Sequence, residues 1–272
     1  MDLIDHGKEI DLDELKVIQM DVLQAVDEFC CDHNIRYSLA CGTLLGAIRH
    51  KGYIPWDDDI DIYVPREDYK RLIEEFPEAY KEKYKLTSLE RDPNWNRPYA
   101  NAYNGDTVFI ENARNSEHIG VNIDIFPVDE VPTGEEWERF NKIRRRKLQA
   151  FSLKFIRLNK HRSIVKNATI LLFRLFTCLS STRKWAEKIN CMIQQYNGKG
   201  YDYLFECCLG LMQKRPFPKK LFDELIYVPF EDRQFMAFAD YDCYLKNGFG
   251  DYMKLPPKEK QVSHHAFKAY WK

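Results

Sequence analysis

The sequence is most distinctive at Trp56-Asp57-Asp58-Asp59-Ile60-Asp61-Ile62, where four carboxylates fall within five positions of an otherwise apolar, strand-like run. In an extended chain the side chains alternate between two faces, which places Asp57, Asp59 and Asp61 on one side. Two like charges about 5 Å apart repel by about 3 kcal/mol at an effective dielectric constant of about 20. A divalent cation relieves this repulsion, and oxygen-only ligands favour Mg²⁺ or Mn²⁺. The stretch therefore predicts a metal site above a buried strand.

Two other interpretations of the acidic stretch are a solvated turn and a calcium-binding loop. A solvated turn rarely carries apolar residues in register, as Ile60, Ile62 and Val64 are here. A calcium loop of the EF-hand type shares the Asp-x-Asp-x-Asp spacing but requires Gly at Ile62 and Glu at Asp68. Both requirements fail. Asp58 is expected on the opposite face of the strand and is left out of the predicted site.

The segment before the acids has the order strand, Gly-Thr, helix. Residues 36–41 predict a short strand, Gly42-Thr43 a turn, and residues 44–48 a short helix. Glycine allows a ligand to approach the backbone closely, the Thr43 hydroxyl can donate or cap, and the free amides of a helix start favour an anion. No Gly-Lys-Ser/Thr follows at the spacing of a P-loop. The segment therefore predicts a phosphate-binding turn of another kind.

A third acid lies in the later apolar run Gly120-Val121-Asn122-Ile123-Asp124-Ile125-Phe126-Pro127. A Gly-Ser/Thr turn, an Asp-x-Asp strand and an acid on a later strand together resemble the pattern of nucleotidyltransferase-fold enzymes. This resemblance implies that Asp124 joins Asp59 and Asp61 at one site. The alternative is a strand on which Asp124 only faces solvent.

Longer motifs identify a family. The run from Gly42-Thr43-Leu44-Leu45-Gly46-Ala47-Ile48-Arg49-His50-Lys51-Gly52-Tyr53-Ile54-Pro55 into the acidic stretch closely resembles the signature of the LicD family, bacterial phosphocholine transferases related to fukutin-related protein. Ile123-Asp124-Ile125-Phe126-Pro127-Val128-Asp129 is similar to its second motif. Phe249-Gly250-Asp251-Tyr252-Met253-Lys254-Leu255-Pro256-Pro257, with Ser263-His264, is similar to its C-terminal segment. The resemblance covers about residues 12–270 and is weakest between about 190 and 241.

The resemblance implies a reaction: transfer of phosphocholine from CDP-choline to a sugar hydroxyl of a cell-surface glycan, with release of CMP. The acceptor would be a teichoic acid, lipopolysaccharide or capsule precursor. Asp59 and Asp61 would hold Mg²⁺ (or Mn²⁺) against the phosphates, which suits phosphoryl transfer. Asp124 would be either a third ligand or the base that receives the acceptor proton. Asp57 shares their face and would either lie just behind the ligands or replace one of them.

Cationic residues near the acids are expected to bind the donor. Arg49, His50 and Lys51 precede the acidic stretch, and with Gly42 and Thr43 they predict contacts to the nucleotide phosphates. His264 matches the family's C-terminal position and is expected to meet a phosphate. A solvated loop explains the trio as well, and His264 is equally compatible with a surface or core histidine.

The chain as a whole predicts an α/β (α+β) protein with a nucleotidyltransferase-like mixed sheet core and a largely helical C-terminal half. We expect a catalytic core over residues 1–131 and a helical, partly basic region over 132–272. A helix capped by Asp11 or Asp13 is predicted to run to about Asp32. One stripe of this helix is expected to face the core, and it consists of Leu12, Leu15, Ile18, Val22, Val26 and Phe29. A second helix is predicted over residues 66–76, and strands over 85–89, 99–103 and 108–110 complete the mixed sheet. The opening Met1-Asp2-Leu3-Ile4-Asp5 lacks a basic, apolar signal, and the eight cysteines lack zinc or disulfide spacing, so a cytoplasmic protein with reduced thiols is expected.

Charge is segregated along the chain. Residues 139–186 contain fourteen Lys or Arg and no Asp or Glu, against a net charge of −1 for all 272 residues. Within this segment the apolar run 170–176 is too short to span a bilayer. An apolar face flanked by cations predicts peripheral contact with an anionic membrane, at its inner face, where a lipid-linked glycan acceptor would lie. Helices with solvated basic faces are the alternative, and no nucleic acid is expected because no binding motif accompanies the charges.

Two other functions remain open from sequence alone. A nucleotidyltransferase would share the metal-binding acids but would release pyrophosphate. A non-catalytic nucleotide-binding module would be expected to lack one of the acids, and all three are present. The fold by itself does not separate these functions.

Overall fold

The computed structural model describes residues 7–80, 83–111, 119–160, 162–209, 214–262 and 267–272. Seven α-helices lie in these ranges: α1 (Leu12–Asp32), α2 (Cys41–Arg49), α3 (Arg66–Ala79), α4 (Gly134–Ser152), α5 (Ile164–Phe176), α6 (Thr182–Ile193) and α7 (Tyr241–Phe249). The strands are β1 (Glu9–Ile10), β2 (Ser38–Leu39), β3 (Asp61–Pro65), β4 (Tyr84–Thr87), β5 (Ala100–Asn104), β6 (Thr107–Glu111), β7 (Asn122–Val131), β8 (Tyr203–Glu206), β9 (Phe217–Pro218), β10 (Leu225–Phe230), β11 (Arg233–Phe238) and β12 (Phe267–Trp271).

The central sheet is mixed and has the strand order β2-β3-β7-β5-β4, with β8 and β9 added beside β7. Strands β3 and β7 run parallel, and the other pairs are antiparallel. Because side chains alternate along a strand, Ile62, Ile125 and Ala100 share one face and are fully buried. They form one hydrophobic core with helices α1 and α3. The predicted α/β class with a mixed sheet core is confirmed.

Helix α1 follows from its capping residue and its apolar stripe. The Asp11 side chain accepts a hydrogen bond from the Glu14 amide (2.9 Å), which satisfies one of the free amides at the helix start. Leu15, Val22 and Val26 are fully buried at helical spacing, as predicted. Leu12, expected on the same stripe, is 45% exposed instead.

Two predictions of local structure near the site were wrong. Residues 36–41 were expected to form a strand, but only Ser38–Leu39 pair with β3. Helix α2 was expected to begin at Leu44 and begins at Cys41, so Gly42 and Thr43 lie in its first turn. Cys41 has a positive φ of 47°, and its amide donates to the Tyr244 hydroxyl (3.1 Å) of α7. A contact from a distant part of the chain thus accompanies the earlier start of the helix.

Strand β6 does not belong to the central sheet. Residues 108–110 were predicted to complete it, but β6 pairs antiparallel with β12, which pairs in turn with β1. These three strands form a separate small sheet that brings the two ends of the described chain together. A two-stranded hairpin of β10 and β11 packs against α2 and β2.

A buried ion pair joins α3 to the central sheet. Arg66, the first residue of α3, donates two hydrogen bonds of 2.7 Å to the carboxylate of Asp129 in β7. The exposed fractions of the two side chains are 4% and 0%. The Asn197 side-chain amide also donates to Asp129 (2.6 Å). Asp129 closes the second motif of the sequence, and it acts in the fold rather than at the acidic site.

The region after residue 131 combines helices with strands. Helices α4 to α7 lie there, but β8 and β9 extend the central sheet and β12 joins β6. The division into parts at residues 131 and 132 therefore stays a prediction. No helix in the described ranges is long and apolar enough to cross a bilayer. All eight cysteines are free thiols.

Candidate active site

Three polar residues lie side by side across the central sheet. Asp61 of β3 is directly opposite Asp124 of β7 in the parallel register, and Asp124 is directly opposite Asn101 of β5 in the antiparallel register. Neighbouring strands are about 4.8 Å apart, so these side chains project from one face as a row. Asp61 and Asp124 were predicted to meet, and the strand register places them together.

The acids before β3 form a compact group. Carboxylate oxygens of Asp57, Asp58 and Asp59 lie within 4.8 Å of one another. Asp58 was expected to point elsewhere, and this prediction was wrong. Residues 57–60 are not a strand, because β3 begins only at Asp61, and the alternation rule does not apply to them. Asp58 is buried, with an exposed fraction of 7%.

The electrostatics of Asp61 favour a bound cation. Burial raises the pKa of Asp61 well above its usual range, and the nearby charges of Asp59, Asp124 and Asp57 raise it further. Removing water from a carboxylate and surrounding it with like charges both disfavour its ionised form. A divalent cation reverses both effects, and the donor set offers hard oxygen ligands. The residues present therefore fit Mg²⁺ or Mn²⁺.

Buried hydrogen bonds fix the backbone of the acidic group. The Gln19 side-chain amide of α1 donates to the carbonyls of Asp58 (3.1 Å) and Asn122 (3.2 Å). The amide of Asp124 donates to the carbonyl of Ile60 (2.8 Å). These bonds join α1, the acidic loop and β7, so the carboxylates are held by three separate elements.

Thr43 has a positioning contact in this structure. Its hydroxyl oxygen accepts a hydrogen bond from the Asp61 amide (2.8 Å), and its exposed fraction is 3%. Thr43 thus ties the first turn of α2 to the start of β3. Its predicted contact with a donor phosphate stays a prediction.

Gly42 makes room for a carboxylate. A Cβ atom at this position would clash with Oδ2 of Asp57. Asp57 therefore rests directly on the first turn of α2, where backbone amides and the helix dipole favour negative charge. Phosphate binding by Gly42 was predicted from the sequence, and in this structure the anion beside Gly42 is the protein's own.

Asn101 is a site residue that the sequence analysis missed. Its side-chain amide donates to Oδ1 of Asp124 and to the carbonyl of Ile123 (3.2 Å). Its own Oδ1 is buried and has no hydrogen-bond partner among the described residues. The signal in the sequence was a polar residue in the middle of the predicted strand 99–103. Its meaning depended on the pairing of β5 with β7, which the sequence does not show.

Among the described residues, the structure shows contacts within and around the cationic trio Arg49, His50 and Lys51, and none of them involves the acids. Arg49 donates to the carbonyl of Tyr252 (2.8 Å) and to the ring nitrogen Nε2 of His50 (2.9 Å). Arg49 thus links α2 to the C-terminal motif, and burial lowers its pKa. Lys51 is exposed, has a positive φ of 64°, and accepts the Glu231 amide at its carbonyl (2.8 Å). Phosphate binding by Arg49 and Lys51 stays a prediction.

Comparison with known proteins identifies the family. A family model described as LicD/FKTN/FKRP, nucleotidyltransferase domain, matches residues 34–162. The lipopolysaccharide cholinephosphotransferase LicD of Haemophilus influenzae is 33% identical over 272 residues, which covers 97% of this chain and 99% of that protein. The chain belongs to the LicD family. The resemblance and the LicD-like phosphotransferase predicted from the motifs are confirmed at this level.

Two shorter matches are also similar to this LicD-family chain. Uncharacterized proteins of Rickettsia prowazekii and Rickettsia typhi are 42% identical over 57 residues and 40% identical over 58 residues. The first match covers 21% of each chain, and the second covers 20% of this chain and 19% of the relative. These matches are too short to carry an argument about function.

The C-terminal motif of the LicD family is described only in part. Its segment from Phe249 to Pro257 lies in the described ranges, and Tyr252 contacts Arg49 as above. His264, expected to meet a phosphate, lies outside the described residues. Its predicted role is therefore not tested by this structure.

A cavity of about 680 Å³ is lined in part by Tyr99, which lies two residues before Asn101 in the chain. The Tyr99 ring packs on Phe126, which lies two residues beyond Asp124. The other lining of the cavity includes aromatic and cationic side chains, among them Phe155, Phe205, Arg97, Arg144, Arg145 and Lys214. The described lining residues include no Asp or Glu. The cavity is therefore suited to an anionic ligand with an apolar or aromatic part.

Proposed function

We propose that this LicD-family enzyme transfers phosphocholine from CDP-choline to a sugar hydroxyl of a lipopolysaccharide, with Mg²⁺ bound and CMP as the leaving product. The observation that carries the proposal is the opposition of Asp61 and Asp124 on a half-buried sheet face, next to Asp59. The Haemophilus influenzae relative, aligned over nearly its whole length, carries the name lipopolysaccharide cholinephosphotransferase. The expected location is the cytoplasm, at the inner face of the membrane.

The carboxylates have separate proposed roles. Asp59 and Asp61 would hold Mg²⁺, with Asp57 and Asp58 close enough to support or replace a ligand. The bound metal would supply Lewis-acid stabilisation of the phosphate charge. The protein's own contribution is a half-buried sheet face on which the acids are already placed before substrate arrives.

Asp124 fits the role of ligand better than that of base. Its Oδ1 accepts hydrogen bonds from the side-chain amides of both Asn101 and Asn122 (3.2 Å for the second). Hydrogen bonds to a carboxylate stabilise its ionised form and make it a poorer proton acceptor. We therefore propose Asp124 as the third ligand.

The cavity beside Tyr99 is proposed to receive the anionic, non-choline part of a substrate. Cations around a pocket repel the quaternary ammonium of choline, which prefers an aromatic site without positive charge. The same cations and rings suit a nucleotide or an anionic sugar. Protection of the cavity by CMP in hydrogen exchange would assign it to the donor, and protection by the acceptor alone would assign it to the glycan.

The experiment that tests the function is a product assay with CDP-choline, CDP-ribitol and CTP, each with and without Mg²⁺. We expect CMP release with CDP-choline and Mg²⁺, accelerated by a lipopolysaccharide acceptor and lost in Asp59→Asn. Pyrophosphate from CTP would favour a nucleotidyltransferase instead. No turnover with any donor, combined with thermal stabilisation by a nucleotide, would favour a binding module. Parallel reactions with teichoic acid and capsule precursors would identify a different acceptor.

A further inference from the structure

Helix α5 presents its apolar side to solvent. Ile164, Val165, Leu175 and Phe176 have exposed fractions of 86%, 73%, 69% and 87%. Leu172 is 58% exposed, and both Leu171 and the following Leu179 are also exposed. Large apolar side chains are normally turned toward the core of a soluble domain. In this helix the usual arrangement is reversed.

The exposed apolar side chains form one continuous face. Successive helical residues are about 100° apart, so Ala168 and the exposed apolar residues of α5 fall within an arc of about 140°. Ile170 and Asn167 project from the opposite side, and Ile170 is the buried residue of the helix, with an exposed fraction of 4%. We call the exposed face, formed by Ile164, Val165, Ala168, Leu171, Leu172, Leu175, Phe176 and the adjoining Leu179, the α5 apolar face.

Specific contacts hold α5 in this orientation. Arg174 donates to the carbonyl of Ile156, and the Lys154 ammonium donates to the carbonyl of Ser180 (2.7 Å), just after the helix. The Phe173 ring meets the Trp185 ring of α6 edge-on, with centroids 5.7 Å apart. These contacts involve the other sides of α5, so the apolar face points away from the protein.

The chain on both sides of the α5 apolar face is cationic. Lys160 before the helix is exposed, and so are Arg157 and Lys184, near either end of the α5 segment. Lys166 is also exposed, but it projects about 150° away from the middle of the face. No acidic residue occurs anywhere in residues 139–186. An apolar face between cationic segments without acids is complementary to a bilayer that has an apolar interior and anionic headgroups.

We propose that the α5 apolar face docks this protein on the surface of an anionic lipid bilayer, with its side chains inserted at the headgroup boundary and the flanking Lys160 and Lys184 on the lipid phosphates. A second copy of the chain fits less well. A two-fold dimer through this face would place the cationic segments of one copy against the same segments of the other, and these like charges repel. Nucleic acid would use the cations but would leave the apolar centre without a partner.

The proposal does not depend on the proposed catalytic activity, because membrane binding is measured without substrate. We would measure flotation of the whole chain with vesicles of phosphatidylcholine alone and of phosphatidylcholine mixed with phosphatidylglycerol. The expected result is co-flotation with the mixed vesicles and little with phosphatidylcholine alone. Added salt should weaken the binding without abolishing it, because salt screens the lysines but not the apolar insertion.

Two sets of variants separate the apolar and the charged contributions. Leu172→Ser/Phe176→Ser should lower the affinity for mixed vesicles at least tenfold, since each inserted side chain contributes through its buried area. Lys160→Ala/Lys184→Ala should lower it about fivefold for each lysine and reduce the preference for anionic lipid. The matched control is Val17→Ser/Val262→Ser, which removes two exposed apolar side chains elsewhere, 61% and 48% exposed, and should bind like the unaltered protein.

Three outcomes would overturn the proposal. The first is an unaltered protein that stays unbound with anionic vesicles. The second is equal binding by Leu172→Ser/Phe176→Ser, with thermal unfolding confirming that this variant is folded. The third is a dimer in sedimentation analysis that Leu172→Ser/Phe176→Ser dissociates while vesicles have no effect, which would assign the α5 apolar face to self-association.

Discussion

Asp61 and Asp124 lie opposite each other on the parallel strands β3 and β7, and Asn101 on β5 lies opposite Asp124 on its other side. The two acids come from motifs more than sixty positions apart in the chain, and the strand register brings them to one point. Because Asp61 is half-buried and its neighbours are acidic, its ionised form is held at a cost to the metal-free protein. This relation leads to the first prediction.

Asp61→Asn should remove activity and stabilise the metal-free fold. The substitution keeps the shape of the side chain and removes a partly desolvated charge that Asp59 and Asp124 repel. We expect turnover to fall about 1000-fold or more, the loss of several kcal/mol of charge stabilisation. The melting temperature near neutral pH without Mg²⁺ should rise, and the stabilisation that Mg²⁺ gives the unaltered protein should disappear. Differential scanning fluorimetry with and without Mg²⁺ measures both effects.

Asn101→Ala should weaken metal binding through Asp124. The Asn101 amide donates to Oδ1 of Asp124, so its loss frees that carboxylate to rotate. Substitution of a residue that orients a metal ligand typically lowers metal affinity or activity by about 10–100-fold. The Mg²⁺ concentration for half-maximal activity should rise by that factor, while KM for the donor should change less.

Asn104→Ala provides the structural comparison for Asn101. Asn104 lies on the same strand but on its other face, and its side chain accepts the Asp106 amide (2.9 Å). This variant should lose stability and keep the Mg²⁺ requirement of the unaltered protein. An equal rise in the Mg²⁺ requirement in both variants would show that Asn101 acts only through general stability.

Two acids of the second motif should respond in opposite ways. Asp129→Asn leaves Arg66 as a poorly paired charge in the core, and breaking such a buried pair costs about 3–5 kcal/mol. Asp124→Asn should abolish turnover and leave the free energy of unfolding near or above that of the unaltered protein. Urea unfolding and the CMP-release assay on both variants separate the roles. Loss of stability in Asp124→Asn and not in Asp129→Asn would reverse the assignment.

Asp27 gives a pH-dependent prediction away from the site. Burial raises the pKa of Asp27, although the Tyr37 hydroxyl donates to it (2.6 Å). An acid whose pKa is higher in the folded state costs stability once the pH exceeds that folded value, and the cost vanishes below its unfolded value. Asp27→Asn keeps an acceptor for Tyr37 and should raise the melting temperature at neutral pH. The gain should shrink toward zero as the pH falls to about 4, near the ordinary Asp range.

The sequence predicted the parts of the site that depend on short-range rules. Period-two alternation placed Asp61 on a strand face, and a single acid inside a second apolar run stood out at Asp124. That Asp124 joins Asp61 was implied by the resemblance to nucleotidyltransferase-fold enzymes. The cap at Asp11 and the stripe of α1 gave the first helix within one residue of its observed start. These features are local, so the chain carries them without knowledge of its tertiary contacts.

The parts that the sequence did not predict depend on distant contacts. Asp58 joins the acidic group in a loop whose backbone is held from a distance, since the Asp58 carbonyl accepts a hydrogen bond from Gln19, thirty-nine positions earlier. Strand β6 leaves the central sheet because its partner β12 lies near the other end of the chain. Only the register between β5 and β7 places Asn101 beside Asp124. In each case the deciding partner lies far away in the sequence.

Gly42→Ala should disturb the metal site through Asp57. A methyl group there would clash with Oδ2 of Asp57, and the flexible carboxylate is the part that can move. Alanine is favoured over glycine in a helix by up to about 1 kcal/mol, so the fold should not suffer. We expect a higher Mg²⁺ requirement with an unchanged or slightly higher melting temperature.

The coupling between Gly42 and Asp57 can be measured with a double-mutant cycle. In an Asp57→Ala background the added methyl has no carboxylate to displace, so Gly42→Ala should then leave the Mg²⁺ requirement where Asp57→Ala alone sets it. Its helix-stabilising effect should remain in the melting temperature. If Gly42→Ala raises the Mg²⁺ requirement equally in both backgrounds, the methyl acts on the metal or the substrate directly, and Gly42 is then a binding residue, as its place before the acidic stretch first indicated.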